Sequence, residues 1–285
     1  MSMKFTREEV MDKLQETIDA GDPIIGSGAG TGISAKFAER GGTDLIIIYN
    51  SGRYRMAGRG SHAGLLAYGD ANEIVTEMAG EVIPVVEETP VLAGVHATDP
   101  FREMDVFLDE IKRLGFSGVQ NFPTHGLIDG KFGEELDDLG LGYDKEIDMI
   151  EQANNRGLLT APYVFDEEQA RKMVRAGGDV IVAHLGLTRG GDIGNEEVSS
   201  LDQSSKRVQR IRDAAVEEAD SLNRDIFVIS HGGALAEPED VAYSMEQTTG
   251  IHGFFGASSV ERLPTERAIQ AQVEEFKEIA LGQAD

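Results

Sequence analysis

The sequence predicts an α/β fold, a single (β/α)8 barrel preceded by one extra helix. Three observations carry this. Eight short apolar runs recur along the chain, among them DLIIIY at 44–49, VLAGV at 91–95 and DVIVAH at 179–184. Runs of that length and composition suit strands buried on both faces of a parallel sheet. Each run alternates with a stretch of helical character, and eight such units fit the ~250 residues a barrel usually takes. The first strand also lacks the phosphate-binding pattern that a doubly wound open sheet usually carries there: its glycines stand at 26, 28, 30 and 32, which does not satisfy GxGxxG.

In order, residues 6–20 form an amphipathic helix. Thr6 is its N-cap and Glu9 completes a capping box; Val10, Leu14 and Ile18 keep helical spacing, and Gly21 stops it. Residues 1–22 make this leader, expected across the bottom of the barrel, and 23–285 make the barrel, one domain in all. Strand one is 23–27 and its helix 34–40. Strand two, 44–49, ends at Asn50-Ser51-Gly52, and a long polar loop follows. A helix at 72–86 leads to strand three, 91–95, and one at 101–114 to strand four, 118–122. A second long loop runs to Gly142. Loops of that length inside a compact domain are usually functional or mobile. Then come a helix at 143–155, strand five at 159–165, a helix at 167–176 and strand six at 179–184. A glycine-rich loop leads to a long polar helix at 200–222, strand seven at 226–230, a helix at 238–248 and strand eight at 251–255. The turn Gly256-Ala257-Ser258-Ser259 and the pair Glu261-Arg262 precede the last helix, 265–281.

Charge narrows the function. Lys and Arg number 26 against 51 Asp and Glu, a net charge of −25. Such a surface repels phosphate backbones, which argues against nucleic-acid binding. The acids are spread along the chain, as in a halophilic protein adapted to high intracellular salt. With no Cys, disulfides and thiolate metal sites are excluded. No apolar run approaches the ~18 residues of a membrane span, and the first residues lack a signal-peptide apolar core. A cytoplasmic protein is expected.

Active sites of such barrels lie at the C-terminal ends of the strands. Four of the six histidines, His96, His125, His184 and His231, fall just after predicted strands. Taken singly, each is better explained by a hydrogen bond to loop backbone; convergence on one rim favours a site. Asn50, Ser51, Asn121 and Asp166 share that rim. Two chemistries suit it. Carboxylates such as Asp99 and Glu261 hold Mg²⁺, which stabilises an enolate as a Lewis acid. Alternatively, several imidazoles with a carboxylate bind a transition metal, although HExxH and HxxEH spacings are absent. No lysine ends a strand, which argues against a Schiff-base aldolase. Gly232-Gly233 and Gly256 to Ser259 stand where barrels often bind phosphate, with Arg262 as a further contact to an anion or a salt-bridge partner of Glu261 or Glu266. The expected roles are His231, His184, His96 and Glu261 in catalysis, Asp99 and Glu261 at the metal, and Asn50, Ser51, Asn121, Gly232, Gly233, Gly256, Ser258, Ser259 and Arg262 on a small anionic substrate. All are expected in one pocket.

The stretches GSGAGTGISAKFAERGGTDLIIIYNSGRYRMAGRGS, VLAGVHATDPF, GVQNFPTHGLIDG, HLGLTRGG and HGFFGASSVERLPTE together resemble the phosphoenolpyruvate hydrolase-like family, grouped with phosphonopyruvate hydrolases, mutases and isocitrate lyases. The resemblance runs from about Gly26 to Glu266. It implies a Mg²⁺-assisted enzyme acting on a small phosphorylated or 2-oxo acid through an enolate, by hydrolysis or by carbon–carbon cleavage. The chain departs from the lyase pattern in having no Cys. A ligand-binding or regulatory barrel without turnover is the alternative. The helices at 101–114 and 265–281 carry enough apolar residues to pack on the barrel and on a neighbour, which, with the resemblance, implies a homo-oligomer.

Overall fold

The structure is a computed structural model, and it describes residues 3–281 apart from 195 and 197. Its strands are β1 (Ile24–Gly28), β2 (Leu45–Ile48), β3 (Val91–Gly94), β4 (Gly118–Gln120), β5 (Leu159–Thr160), β6 (Tyr163–Val164), β7 (Val180–His184), β8 (Phe227–His231) and β9 (Gly253–Gly256). They pair in parallel in the order β5-β4-β3-β2-β1-β9-β8-β7-β6. β5 and β6 are halves of one run. Between them, the Ala161 N–H donates to Val119 on the β4 side, and the Pro162 carbonyl accepts from Val182 on the β7 side. That run joins the two ends of the order and closes the sheet. Pro162 has no N–H to give, and the ladder splits there. The expected eight strands are therefore present, and the fold is a (β/α)8 barrel.

The strands form because their side chains have nowhere wet to point. All of β2, β3, β4, β7 and β8 is buried, and β-branched residues dominate β2 and the first residues of β7. The helices are α1 (Arg7–Asp19), α2 (Gly32–Arg40), α3 (Asn50–Met56), α4 (Ala71–Val82), α5 (Met104–Leu114), α6 (Gly130–Asp138), α7 (Asp144–Asn155), α8 (Glu167–Arg175), α9 (Leu201–Ser221), α10 (Pro238–Glu246) and α11 (Leu263–Lys277). α1 has the expected capping box between Thr6 and Glu9 and buries Val10 and Leu14. Its Arg7 meets the buried Asp179 at 2.6 Å, and its Thr17 meets Asp44 at 2.7 Å. Asp179 and Asp44 stand just before β7 and β2, so α1 lies across the N-terminal ends of the strands.

Three segments differ from the sequence reading. The loop after β2 contains α3 and a turn of 3₁₀ helix, Ser61–Leu65, and the loop after β4 contains α6. α3 escapes a periodicity search because the side it buries is polar: Asn50, Ser51 and Arg55 are inside. The third difference is α11. Only Leu263 is buried, and every residue from Arg267 to Leu281 is exposed. The helix stands away from the barrel. Between its own first turns, at Pro264, Ala268 and Ile269, and Ile25, Ile33 and Phe37 of the barrel lies a groove of about 650 Å³.

Candidate functional site

The C-terminal ends of the strands carry three groups of side chains rather than one pocket. The first is an aromatic cluster inside the barrel mouth. His184 and His231 are paired in register on β7 and β8, with ring centroids 4.6 Å apart. Tyr163 of β6 packs on both, at 4.6 and 4.9 Å, and Phe122 lies against Tyr163 and Tyr49. Contacts that skip a strand in this way require an interior. The Phe255 carbonyl, 2.6 Å from His231 Nδ1, can only accept. Nδ1 therefore carries the proton, and Nε2 turns its lone pair toward the Tyr163 hydroxyl at 3.5 Å. His184 Nδ1 accepts from the Gly186 N–H at 3.0 Å. Burial pushes the His231 imidazole down to about 4, against the Phe255 carbonyl, which favours the proton. Burial and the neighbouring His231 push His184 down as well. Both rings are neutral in ordinary buffers.

The second group is a buried ion pair. Arg55 of α3 meets Glu261 at 2.8 Å, with both side chains enclosed, and lies over the Tyr49 ring. The other Glu261 oxygen accepts from the Gly30 N–H and the Ser34 hydroxyl, each at 2.5 Å. Glu261 belongs to a π-helical turn, Ser258–Arg262.

The third group opens to solvent. A pocket of about 360 Å³ lies above the ends of β2, β3 and β4, with Asn50, His96, Thr124, His125 and Glu146 in its walls. Glu146 comes from the first turn of α7 and is 2 % exposed. One of its oxygens accepts from Asn121 at 2.5 Å and Thr124 at 2.8 Å, and the other from the His125 N–H at 2.6 Å. None of these partners is a cation. Burial therefore pushes the carboxyl up to about 8, although the three donors pull the other way. His96 bonds Thr98 through Nε2 at 2.7 Å, and burial lowers its affinity for a proton although Asp99 and Asp70 raise it.

The predicted residues sort accordingly. Asn50 and His96 line the open pocket, and Asn121 reaches it through Glu146. Asn50 also donates to the Gly64 carbonyl at 2.9 Å, while Ser51 donates to the Ser61 carbonyl and Ser61 meets Ser258 at 3.1 Å. Ser259 has a buried hydroxyl without a partner among the described residues. Gly232 and Gly233 have φ of +78° and +57°, and the Gly233 N–H donates to Gly186; they fasten two loops together. Gly256 closes β9 beneath the π-helical turn. Three placements depart from expectation. Asp99 is held by Asn72 at 2.8 Å, Arg102 at 2.6 Å and the Phe101 N–H at 2.9 Å. Burial works against its charge, but those donors outweigh it and keep the carboxyl low. Glu261 is saturated by Arg55, Gly30 and Ser34. The two acids sit in separate networks, and no group of three potential metal ligands occurs among the described residues. They do not fit the shared Mg²⁺ site expected of them. Arg262 pairs with Glu266 at 3.0 Å and donates to the Gly190 carbonyl at 2.9 Å, so its guanidinium is engaged within the chain.

Sequence reasoning missed Glu146, Arg55 and Tyr163. Glu146 had a signal: it shares the face of α7 that buries Met149, Ile150 and Ala153, and a carboxyl on an apolar stripe is unusual.

Comparison with known proteins agrees with this architecture. The chain is 56% identical over 272 residues to the ToMV susceptible protein tm-1 of Solanum lycopersicum, a match covering 95% of this chain and 36% of the relative. The chain thus spans about a third of the length of the curated relatives it matches. Among solved structures, oxaloacetate acetylhydrolase superposes with a TM-score of 0.61 at 14% identity, covering 100% of this chain and 91% of that one. Phosphoenolpyruvate phosphomutase from Streptomyces platensis subsp. rosaceus gives 0.57 at 16% identity, covering 94% and 86%. Those two likenesses concern the fold. Sequence decides the family: the chain belongs to the phosphoenolpyruvate hydrolase-like family, whose description matches residues 9–279.

Proposed function

We propose that the open pocket is the active site of an enzyme that passes a proton to the oxygen of an enolate formed from a small oxo or phosphorylated acid. The carrying observation is Glu146, a buried carboxyl without a cation, pushed up to about 8 beside the pocket. A carboxylic acid that stays protonated at neutral pH donates a hydrogen bond to a developing oxyanion. Asn50 orients the substrate's oxygens, and His96, neutral through burial, is the complementary proton acceptor. The names of the structural neighbours support the substrate class, since oxaloacetate and phosphoenolpyruvate are acids of this kind. The family resemblance implies Mg²⁺, but Asp99 and Glu261, held in separate networks, do not fit it. Glu146→Gln tests the reading with a product-release assay over 2-oxo acids and phosphonates. Losing a positioned acid lowers the rate ~10²–10⁴-fold. A variant with the full rate and an unchanged alkaline limb overturns it. Binding without product in the unaltered protein would favour the regulatory barrel.

We also propose that the chain assembles with a second copy through α11. Ile269, Val273 and Phe276 recur at helical spacing and are exposed, and a lone helix of this length is marginal in water. The groove that such a helix would cover, beside the exposed Ile33 and Phe37, is apolar and open. Reciprocal exchange fills both grooves by one two-fold operation.

A further inference from the structure

We infer that the pocket takes an unphosphorylated 2-oxo acid bearing an apolar chain, in preference to phosphoenolpyruvate or pyruvate itself; this rests on the pocket being the substrate site. Its polar groups, Asn50, His96, Thr124, His125 and Glu146, come from the strand ends, the turn after β4 and the first turn of α7. The rest of the wall includes Leu65, Leu66, Ile128, Phe132, Leu136 and Leu141. Phe132 and Leu136 stand one turn apart on α6, so that helix presents a greasy edge to the opening. Phe132 is 62% exposed and Leu141 41%, surface that a bound chain would cover. At about 360 Å³, the pocket falls in the ~300–1,000 Å³ range of small-molecule sites, which is generous for three carbons. Charge points the same way. Among the described residues no Lys or Arg lines the pocket, so a dianionic phosphate would be stripped of water with no permanent cation to meet it. A single carboxylate asks less, and Asn50, Thr124 and His96 offer neutral polar contacts.

Calorimetric titration of the full chain tests this with pyruvate, 2-oxobutanoate, 2-oxopentanoate, 2-oxohexanoate and phosphoenolpyruvate. Each buried methylene contributes about 0.8 kcal/mol, roughly fourfold in Kd. The expected result is a stepwise rise in affinity along the oxo-acid series, with phosphoenolpyruvate among the weakest. Phe132→Ser, a change at an exposed position that spares the fold, is expected to flatten the series. A flat or falling series, tightest binding by phosphoenolpyruvate, no binding by any member at millimolar concentration, or a series indifferent to Phe132→Ser overturns the inference. Glu146→Gln separates it from the catalytic reading. A rising series with turnover insensitive to that variant sinks only the catalytic role of Glu146. A flat series with turnover abolished by it sinks only the apolar-chain inference.

Discussion

Replacing Glu146 by Gln should change how stability depends on pH. The carboxyl is raised from its ordinary 4.5 to about 8 by burial. A raised acid contributes stability that is fully present below its unfolded value and is lost as pH climbs through its folded value. At ~1.4 kcal/mol per pH unit, the loss between those values is on the order of 5 kcal/mol, an upper figure because buried sites relax and admit water. Gln is neutral throughout and carries no such loss. Near pH 5 the variant should be the weaker protein by about 1–2 kcal/mol, because its amide N–H₂ turns a donor toward the His125 N–H, the Thr124 hydroxyl or the Asn121 amide. Near pH 9 it should be the stronger by a few kcal/mol. His184 and His231 act in the opposite sense, since their lowered affinity for protons removes stability as pH falls below about 6.5. Those terms are common to both proteins and cancel in the difference. Urea denaturation of each at intervals from pH 5 to 9 gives that difference directly. Parallel curves, or an unaltered protein that gains on the variant as pH rises, would refute the reasoning.

Three further outcomes are expected. Arg55→Met strands the buried Glu261 carboxylate and should cost about 3–5 kcal/mol of stability in denaturant; adding Glu261→Gln should restore a good part, and no restoration would mean that the pair acts through packing instead. Light scattering at working salt should give a multiple of 30.8 kDa, with Val273→Asp giving single chains; a protein already running as one chain ends the exchange proposal. A net charge of −25 should make the protein melt higher in molar KCl than in dilute buffer, in one cooperative transition if the chain is one domain; an unmoved midpoint counts against salt adaptation.

The barrel was legible because parallel strands announce themselves: LIII of β2 and VIVA of β7 are apolar on both faces, and the Thr6–Glu9 capping box is written in local spacing. The histidines were found for a similar reason, since position just after a strand is a local property. What was hidden depends on partners remote in sequence. Nothing near Glu261 tells that Arg55, 206 residues away, will consume its charge, and among 51 acids chance places some at strand ends. Glu146 stands outside the strand-end pattern, because its carboxyl reaches the rim from a helix. α3 and α6 were read as loop because their periodicity is weak or inward-facing residues are polar. α11 was read correctly as a helix, but its amphipathic pattern does not tell whether the apolar face meets its own barrel.

The ring order has a consequence for synthesis on the ribosome. β1 pairs with β2 on one side and with β9 on the other, and β9 is the last strand of this barrel to be made. β1 through β5 can add to one another as they emerge, each to its predecessor. The far edge of β1, from Ile24 to Ser27, has no partner until Gly253 to Gly256 has left the exit tunnel. Throughout elongation the nascent protein is therefore a curled sheet with an open, apolar edge at each end, and such edges invite pairing with other chains. A translation product that stops short of Gly253 keeps that edge permanently, together with the unpaired side of β8. Forms truncated before Gly253 are thus expected to burden chaperones heavily.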